Sequence, residues 1–197
     1  DQHGLPVDFE SDKVHPAALV IQDYSDEYSH WNASQSLSDY LKKFNVPGIT
    51  GIDARALTKK LRTTGSMMGK LVIEGDVADA VVQHDPNNEN LVANVSIKEP
   101  KIYNADGKFT VVAVDVGLKF NQLRCLMDRG AKVKLVPWDY DFSADEMDGL
   151  FLSNGPGDPV MATNTIDNLK KMFAAQPKTP IFGICLGHQL MTLACGA

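Results

Sequence analysis

One cysteine with a glycine two positions away on each side stands near the end of the sequence. It is Cys185, in the segment PIFGICLGHQLM, where an apolar run precedes it and a helical pattern follows. The pattern G-x-C-x-G between a strand and a helix is the cysteine form of a nucleophile elbow, because glycines permit the sharp turn. The start of a helix favours a thiolate, and the next amide, that of Leu186, points toward a developing oxyanion. The pattern predicts a nucleophile, and the alternative is a small buried core cysteine.

A second loop contains two glycines and follows another apolar run. It is SNGPGDP, residues 153–159, and its backbone N–H groups could donate to a carbonyl oxygen or an anion. It is not a phosphate-binding loop, because it lacks a Lys-Ser/Thr pair and the G-x-G-x-x-G spacing. The alternative is an ordinary turn in which Asp158-Pro159 opens the next segment. If the strands before the two loops are parallel neighbours, both loops lie on one rim of the sheet.

The sequence contains no convincing general base for this cysteine. His188 follows it by three residues, but elbow enzymes take their base from a different loop, so we predict that His188 is not the base. The four remaining histidines lie mostly in polar loops and are predicted at the surface: His3, His15, His30 and His84. Cys125 and Cys195 lie inside apolar helical patterns, which predicts that both belong to the core.

The elements that must position these loops alternate between strand and helix. Continuous apolar, β-branched runs predict strands, and apolar residues spaced three and four apart predict helices. The predicted strands are 110–117, 131–138, 148–155 and 179–184, and the predicted helices are 118–130, 165–176 and 186–194. This order implies a doubly wound parallel sheet, which binds ligands beyond the carboxyl ends of its strands.

The first region reads as mixed α and β. Helices are predicted over 36–44 and 51–65, the second with Asp53 as N-cap and Gly65 as C-cap, and a strand over 69–75. A charged segment containing a proline and an Asp-Gly turn, residues 97–108, is the best boundary. We therefore predict two domains, 1–100 and 108–197.

Composition excludes several function classes. The 197 residues are 44% hydrophobic and carry a net charge of −6, with both signs interleaved, so no nucleic-acid or membrane partner is predicted. Three cysteines at these spacings fit neither a disulfide framework nor a zinc site. We therefore predict reduced cysteines, no metal site and a cytoplasmic location.

SNGPGDP and FGICLGHQLM, in this order and each at a strand end, resemble the motifs of class I (triad-type) glutamine amidotransferases. The stretch GITGIDARALTKKLRTTGSMMGKL of the first region, followed by VAVDVGLKFNQLRCLMDRGAKVKLVPWD, is similar to the small, glutaminase part of carbamoyl-phosphate synthetase. VSIKEPKIYN and GLKFNQLRCL resemble the form of that part found in the multifunctional pyrimidine-pathway proteins of eukaryotes. The resemblance implies an α/β chain: a mixed α+β small-subunit domain, then the first half of a doubly wound amidotransferase domain.

The resemblance also implies roles for particular residues. Cys185 would attack the carboxamide of glutamine, and Gly155 and Leu186 would supply the oxyanion-hole amides. These two residues would also contact glutamine, together with Gly157 and Gln189. Ammonia would leave, and the glutamyl thioester would be hydrolysed to glutamate.

The implied partners are L-glutamine and a synthetase portion, fused or separate, which uses ATP, Mg²⁺ and bicarbonate to make carbamoyl phosphate for pyrimidine or arginine synthesis. No cofactor is expected in this chain, and the full protein is expected to be oligomeric. The chain starts at Asp1, and the family places its triad His and Glu beyond Ala197. We therefore expect a fragment that is inactive alone. The alternatives are a cysteine hydrolase of α/β-hydrolase type and a non-catalytic, amidotransferase-like regulatory domain.

Overall fold

The computed structural model describes residues 1–70 and 85–197. Contacts along the chain divide it into two compact units, one of Ser11–Gln83 and one of Asp1–Glu10 with His84–Ala197. The domain limits 1–100 and 108–197 stay a prediction. His84 and most of the candidate strand 69–75 lie outside the described residues. No helix in the described part of the chain is long and apolar enough to cross a membrane.

The Ser11–Gln83 unit contains a parallel pair of short strands and two helices. Asp53 accepts a hydrogen bond from the Ala56 amide to begin the second helix, which ends at Gly65 with a φ of 80°. Both predicted helices of this region are confirmed, and so are both caps of the second. The elements are β1 (Leu19–Val20), α1 (Leu37–Lys43), β2 (Gly48–Ile49) and α2 (Ala54–Thr64).

The other unit is built on one five-stranded sheet. Its elements are α3 (Leu91–Val95), β3 (Lys101–Tyr103), β4 (Phe109–Asp115), α4 (Phe120–Asp128), β5 (Ala131–Pro137), β6 (Gly149–Leu152), α5 (Thr163–Ala175), β7 (Ile181–Gly183) and α6 (Leu186–Ala194). The strand order is β3-β5-β4-β6-β7, and only β3 is antiparallel to its neighbour. All four predicted strands and all three predicted helices of this region are confirmed.

Strand β3 was not predicted. It lies in the segment that the sequence suggested as a boundary, and it pairs with the outer edge of β5. Two of its three residues are exposed, so it has neither the apolar run of a buried strand nor a long alternation. Pairing across the chain, and not local propensity, therefore makes this segment a strand.

The two faces of β4 are covered by different helices, which confirms the doubly wound arrangement. Val112 and Val114 belong to a core layer with buried residues of α5 and α6. Val111 and Ala113, on the opposite face, pack in a layer with buried residues of α4. A strand covered on both faces reads as a continuous apolar run, which explains its sequence.

Residues 1–10 lie against α4. The Glu10 carbonyl accepts from the Phe120 amide, and the Glu10 carboxylate accepts from the Asn121 amide at 3.0 Å. These bonds satisfy donors at the start of a helix that has no side-chain cap at its own N-cap residue. His3, predicted at the surface, is mostly buried and lies 2.9 Å from Asp128.

The prediction that Cys125 and Cys195 belong to the core is wrong, because both are exposed. Helix α4 buries Leu123 and Met127, four residues apart on one face. At about 100° per residue, position 125 falls on the opposite face. Cys195 follows the last residue of α6 as its C-cap.

Candidate active site

Cys185 has an uncommon backbone conformation at the junction of β7 and α6. Its φ is 51° and its ψ is −109°, although it is not a glycine. Strain of this kind is typical of a nucleophile presented on a strand-to-helix turn. Cys185 is also exposed, so it is not the buried core cysteine of the alternative interpretation. A Cβ on Gly183 would lie 2.6 Å from the carbonyl carbon of Gly187, so the turn requires glycine there.

The two glycine-containing loops lie side by side. Strands β6 and β7 are parallel neighbours, with Leu152 opposite Gly183. Beyond them, the Ile184 amide donates to the Leu152 carbonyl at 3.0 Å, and the Gly187 amide donates to the Ser153 carbonyl at 3.1 Å. The elbow is thus bonded to the first residues of the SNGPGDP loop, as expected for loops that share a rim.

Gly155 packs so tightly that no side chain fits there. A Cβ would overlap the carbonyl oxygen of Val116 and lie 2.7 Å from Cδ2 of Leu186, the first residue of α6. Among the described residues, no acceptor takes the amide N–H of Gly155 or that of Leu186. The structure therefore provides two free backbone donors in loops that touch beside Cys185. Such donors can stabilise an oxyanion.

Ser153 controls the peptide that precedes Gly155. Its hydroxyl accepts from the Val116 amide at 3.0 Å and donates to the Asn154 carbonyl at 2.9 Å. Ser153 is completely buried, so these bonds are shielded from water. The sequence analysis did not single out Ser153 or Asn154; their only signal was their place in the SNGPGDP loop.

Gly157 and Gln189, the other residues proposed to contact glutamine, occupy different surroundings. Gln189 is exposed one turn into α6, and its backbone amide donates to the Cys185 carbonyl at 3.1 Å. Gly157 has a φ of 83°, and a Cβ there would lie 3.3 Å from the Leu91 side chain of α3. The structure therefore brings Cys185, Leu186 and Gln189 together at one helix start, whereas Gly157 lies against α3.

The described residues offer no partner to activate the thiol. Within residues 1–70 and 85–197, no hydrogen bond joins the Cys185 sulfur to a carboxylate or to an imidazole, and this includes the imidazole of His188. His188 is exposed, and its carbonyl accepts from the Thr192 hydroxyl. That His188 is not the base stays a prediction. The same residues contain no group of three side chains able to hold a metal ion.

Comparison with known families identifies the chain. The family model "Carbamoyl-phosphate synthase small chain, CPSase domain" matches residues 2–71, and the family model "Glutamine amidotransferase class-I" matches residues 112–197. The chain belongs to the carbamoyl-phosphate synthase small-chain family, with a class I glutamine amidotransferase domain over residues 112–197. The resemblance seen in the two loop motifs and the leading region is thereby confirmed.

Relatives of this amidotransferase match it from end to end. It is 52% identical to "Multifunctional protein CAD" of Squalus acanthias over 100% of the chain, and 45% identical to "Multifunctional protein ura1" of Schizosaccharomyces pombe over 98%. It is 46% identical to "Carbamoyl-phosphate synthase [ammonia], mitochondrial" of Aquarana catesbeiana over 100%. The amidotransferase chain spans only 9%, 10% and 13% of these three proteins.

Proposed function

We propose that this chain is the glutamine-hydrolysing component of a carbamoyl-phosphate synthase. The observation that carries the proposal is the strained, exposed Cys185 beside two free backbone donors. Its sulfur attacks the carboxamide carbon of L-glutamine, and the carbonyl oxygen becomes an oxyanion that accepts from the Gly155 and Leu186 amides. Collapse of this intermediate releases ammonia and leaves a glutamyl thioester. Water then hydrolyses the thioester to glutamate and restores the thiol.

Gly157 and Gln189 would hold the rest of the glutamine. Gln189 is exposed on the first turn of α6, one turn after Cys185. From there its side-chain amide can reach a ligand bound at the nucleophile. Gly157 has a positive φ, a backbone conformation that residues with a side chain rarely adopt. This conformation determines how the backbone groups of the loop are oriented. Neither role needs a cofactor in this chain.

The partner of this chain is proposed to be a synthetase portion that combines the ammonia with bicarbonate, using ATP and Mg²⁺. Support comes from the relatives, which are several times longer than this chain and are named as multifunctional proteins or carbamoyl-phosphate synthases. The proposal includes a synthetase portion that is either fused to this chain or a separate chain. It also includes an oligomeric full protein and a cytoplasmic location. One relative bears the name of a mitochondrial enzyme.

The isolated chain is proposed to be inactive. Cys185 has no hydrogen-bonded base in the described residues, and a cysteine hydrolase needs one to activate the thiol and protonate the leaving amine. We expect no glutamate release from L-glutamine by the 197-residue chain alone. Turnover by that chain would refute this part of the proposal and would make His188 the first candidate base.

The decisive experiment replaces the nucleophile in the intact protein. Cys185→Ala should abolish carbamoyl phosphate synthesis from glutamine and leave synthesis from ammonia unchanged. Cys125→Ala is the matched control, because that thiol is also exposed but lies within helix α4 and not on a strand-to-helix turn. If Cys185→Ala removed both activities, or neither, the assigned role would be wrong.

A second candidate is an amidotransferase-like domain without glutaminase activity. The observation that favours it is the 46% identity to a relative whose name gives ammonia as the nitrogen source. If this candidate is correct, the intact wild-type protein uses ammonia and ignores glutamine. The α/β-hydrolase alternative has no such support, since the matching families name amidotransferase and synthase domains.

A further inference from the structure

Two side-chain amides connect helix α4 to the SNGPGDP loop. Nε2 of Gln122 donates to Oδ1 of Asn154 at 2.7 Å, across 32 positions of sequence. Nδ2 of Asn154 in turn donates to the carbonyl oxygen of Gly117 at 3.2 Å. The pair therefore joins the helix, the turn that precedes it and the residue immediately before Gly155.

The same turn presses against the loop through its backbone. Gly117 has a φ of 128°, and a Cβ there would lie 2.9 Å from Cα of Gly155 and 2.8 Å from Cδ of Pro156. The Asn154 side chain is therefore bonded to the turn at Gly117, and the loop that contains Asn154 contacts the same turn. A shift of Asn154 would carry Gly155 with it.

The peptide between Asn154 and Gly155 determines where the Gly155 N–H points. A trans peptide is planar, so its N–H points away from its C=O. The Asn154 carbonyl is held by the Ser153 hydroxyl at 2.9 Å, which sets one side of the plane. The Gln122 bond anchors the Asn154 side chain, and the two contacts together fix the direction of the Gly155 donor.

We propose that Gln122 is a positioning residue for the glutaminase reaction: acting through Asn154, it holds the Gly155 amide toward the oxyanion that forms when Cys185 attacks glutamine. The inference rests on the proposed function. In this role Gln122 contacts neither the substrate nor the thiol. Its effect is confined to the direction of the Gly155 N–H.

The unsatisfied half of the Gln122 amide supports a role in activity over one in stability. Its Oε1 is buried and has no hydrogen-bond partner in the part of the chain that the structure describes. A buried acceptor without a partner costs folding free energy, and an apolar side chain of similar size would remove that cost, but it would also leave Oδ1 of half-buried Asn154 without the donor that Gln122 supplies. Because these two effects on stability oppose each other, replacing Gln122 should reduce turnover with little change in stability, which a purely structural residue would not do.

The test compares glutamine-dependent and ammonia-dependent synthesis in the intact protein. Gln122→Leu should lower kcat with glutamine by about 5- to 20-fold, the loss expected when one hydrogen bond no longer orients a donor, and should leave KM within about twofold. Synthesis from ammonia should be unchanged. Asn121→Ala is the matched control: its side chain lies on the same helix turn, and among the described residues its one side-chain hydrogen bond is to the Cys125 sulfur, at 3.8 Å. It should retain both activities.

A double-mutant cycle shows whether Gln122 acts through Asn154. If it does, Asn154→Ala and the double variant should lose the same factor, because the second change has nothing left to remove. Additive losses, or an unchanged kcat in Gln122→Leu, would overturn the proposal. So would a lower melting temperature together with a parallel loss of ammonia-dependent synthesis. Should the Leu variant fail to fold, Gln122→Met, closer in shape, carries the same expectations.

Failure of this inference is distinguishable from failure of the proposed function. If Cys185→Ala retains full glutamine-dependent synthesis, the glutaminase assignment itself is wrong. If activity depends on Cys185 but is indifferent to Gln122, the assignment stands and only the positioning role is refuted.

Discussion

Adding one methyl group at Gly155 is the most direct perturbation of the candidate oxyanion hole. The Cβ of Gly155→Ala would overlap the Val116 carbonyl oxygen and lie 2.7 Å from Cδ2 of Leu186. Val116 is fully buried and Leu186 is 1% exposed, so neither neighbour can retreat easily. The loop must move instead, and the Gly155 N–H moves with it.

The expected loss follows from the role proposed for the Gly155 amide in the transition state. Removal of one oxyanion-hole donor typically costs about 10²- to 10³-fold in kcat, or about 2.7–4 kcal/mol. Overpacking a tight site also costs about 1–3 kcal/mol of stability. We therefore expect a folded but destabilised protein in which synthesis from glutamine falls by at least two orders of magnitude and synthesis from ammonia persists.

The assay measures kcat and KM for glutamine in the intact protein, beside ammonia-dependent synthesis. Gly149→Ala is the matched control on β6, the strand that leads into this loop, because a Cβ there would lie 3.6 Å from the Pro180 carbonyl oxygen, an ordinary contact. It should retain glutamine-dependent kcat within about twofold, since no tight contact is created. A Gly155→Ala protein with near wild-type turnover would refute the oxyanion assignment. Equal losses in both variants would point to a general sensitivity of β6 and the loop that follows it.

Three further predictions concern titration and stability. Hydrogen bonds from Lys171, the largest cause, and from the hydroxyl and amide of Ser143 lower the pKa of Asp141 to about 2, so the stabilisation they bring is present above pH 4 and is lost as pH falls through about 2. In an NMR titration of Asp141, Lys171→Met should raise the titration midpoint of this carboxyl, and an unmoved midpoint would contradict the assigned cause. Phe142→Ala should cost about 3–5 kcal/mol in urea denaturation because Phe142 is fully buried, whereas Phe182→Ala, at 65% exposed, should cost far less; similar costs would show that burial does not govern the difference. Asp115→Ala should cost about 2–4 kcal/mol because its buried carboxylate accepts from three backbone amides, and Asp115→Asn should cost less; an unchanged denaturation midpoint would count against these bonds.

Much of the amidotransferase region could be predicted because its signals are local. The β-branched run of β4 and the apolar stripes of α4 and α5 each lie within one short continuous segment, so the existence and order of these elements can be predicted. Strand β3 escaped prediction because its pairing partner, β5, lies some thirty positions away. Cys125 was misplaced because an apolar neighbourhood does not by itself say which side of a helix faces the sheet.

The sequence by itself determined the candidate nucleophile and the two loops. Glycines flanking Cys185 specify a sharp turn because only they avoid Cβ clashes over a few residues, and that chemistry is local. The tertiary structure alone decided which groups surround the turn. The contact of Gly155 with Val116, and the bond from Gln122 to Asn154, exist because parallel strands bring distant loops to one rim. Hydrogen bonds and steric limits act only over a few ångströms, so spacing along the chain cannot reveal them.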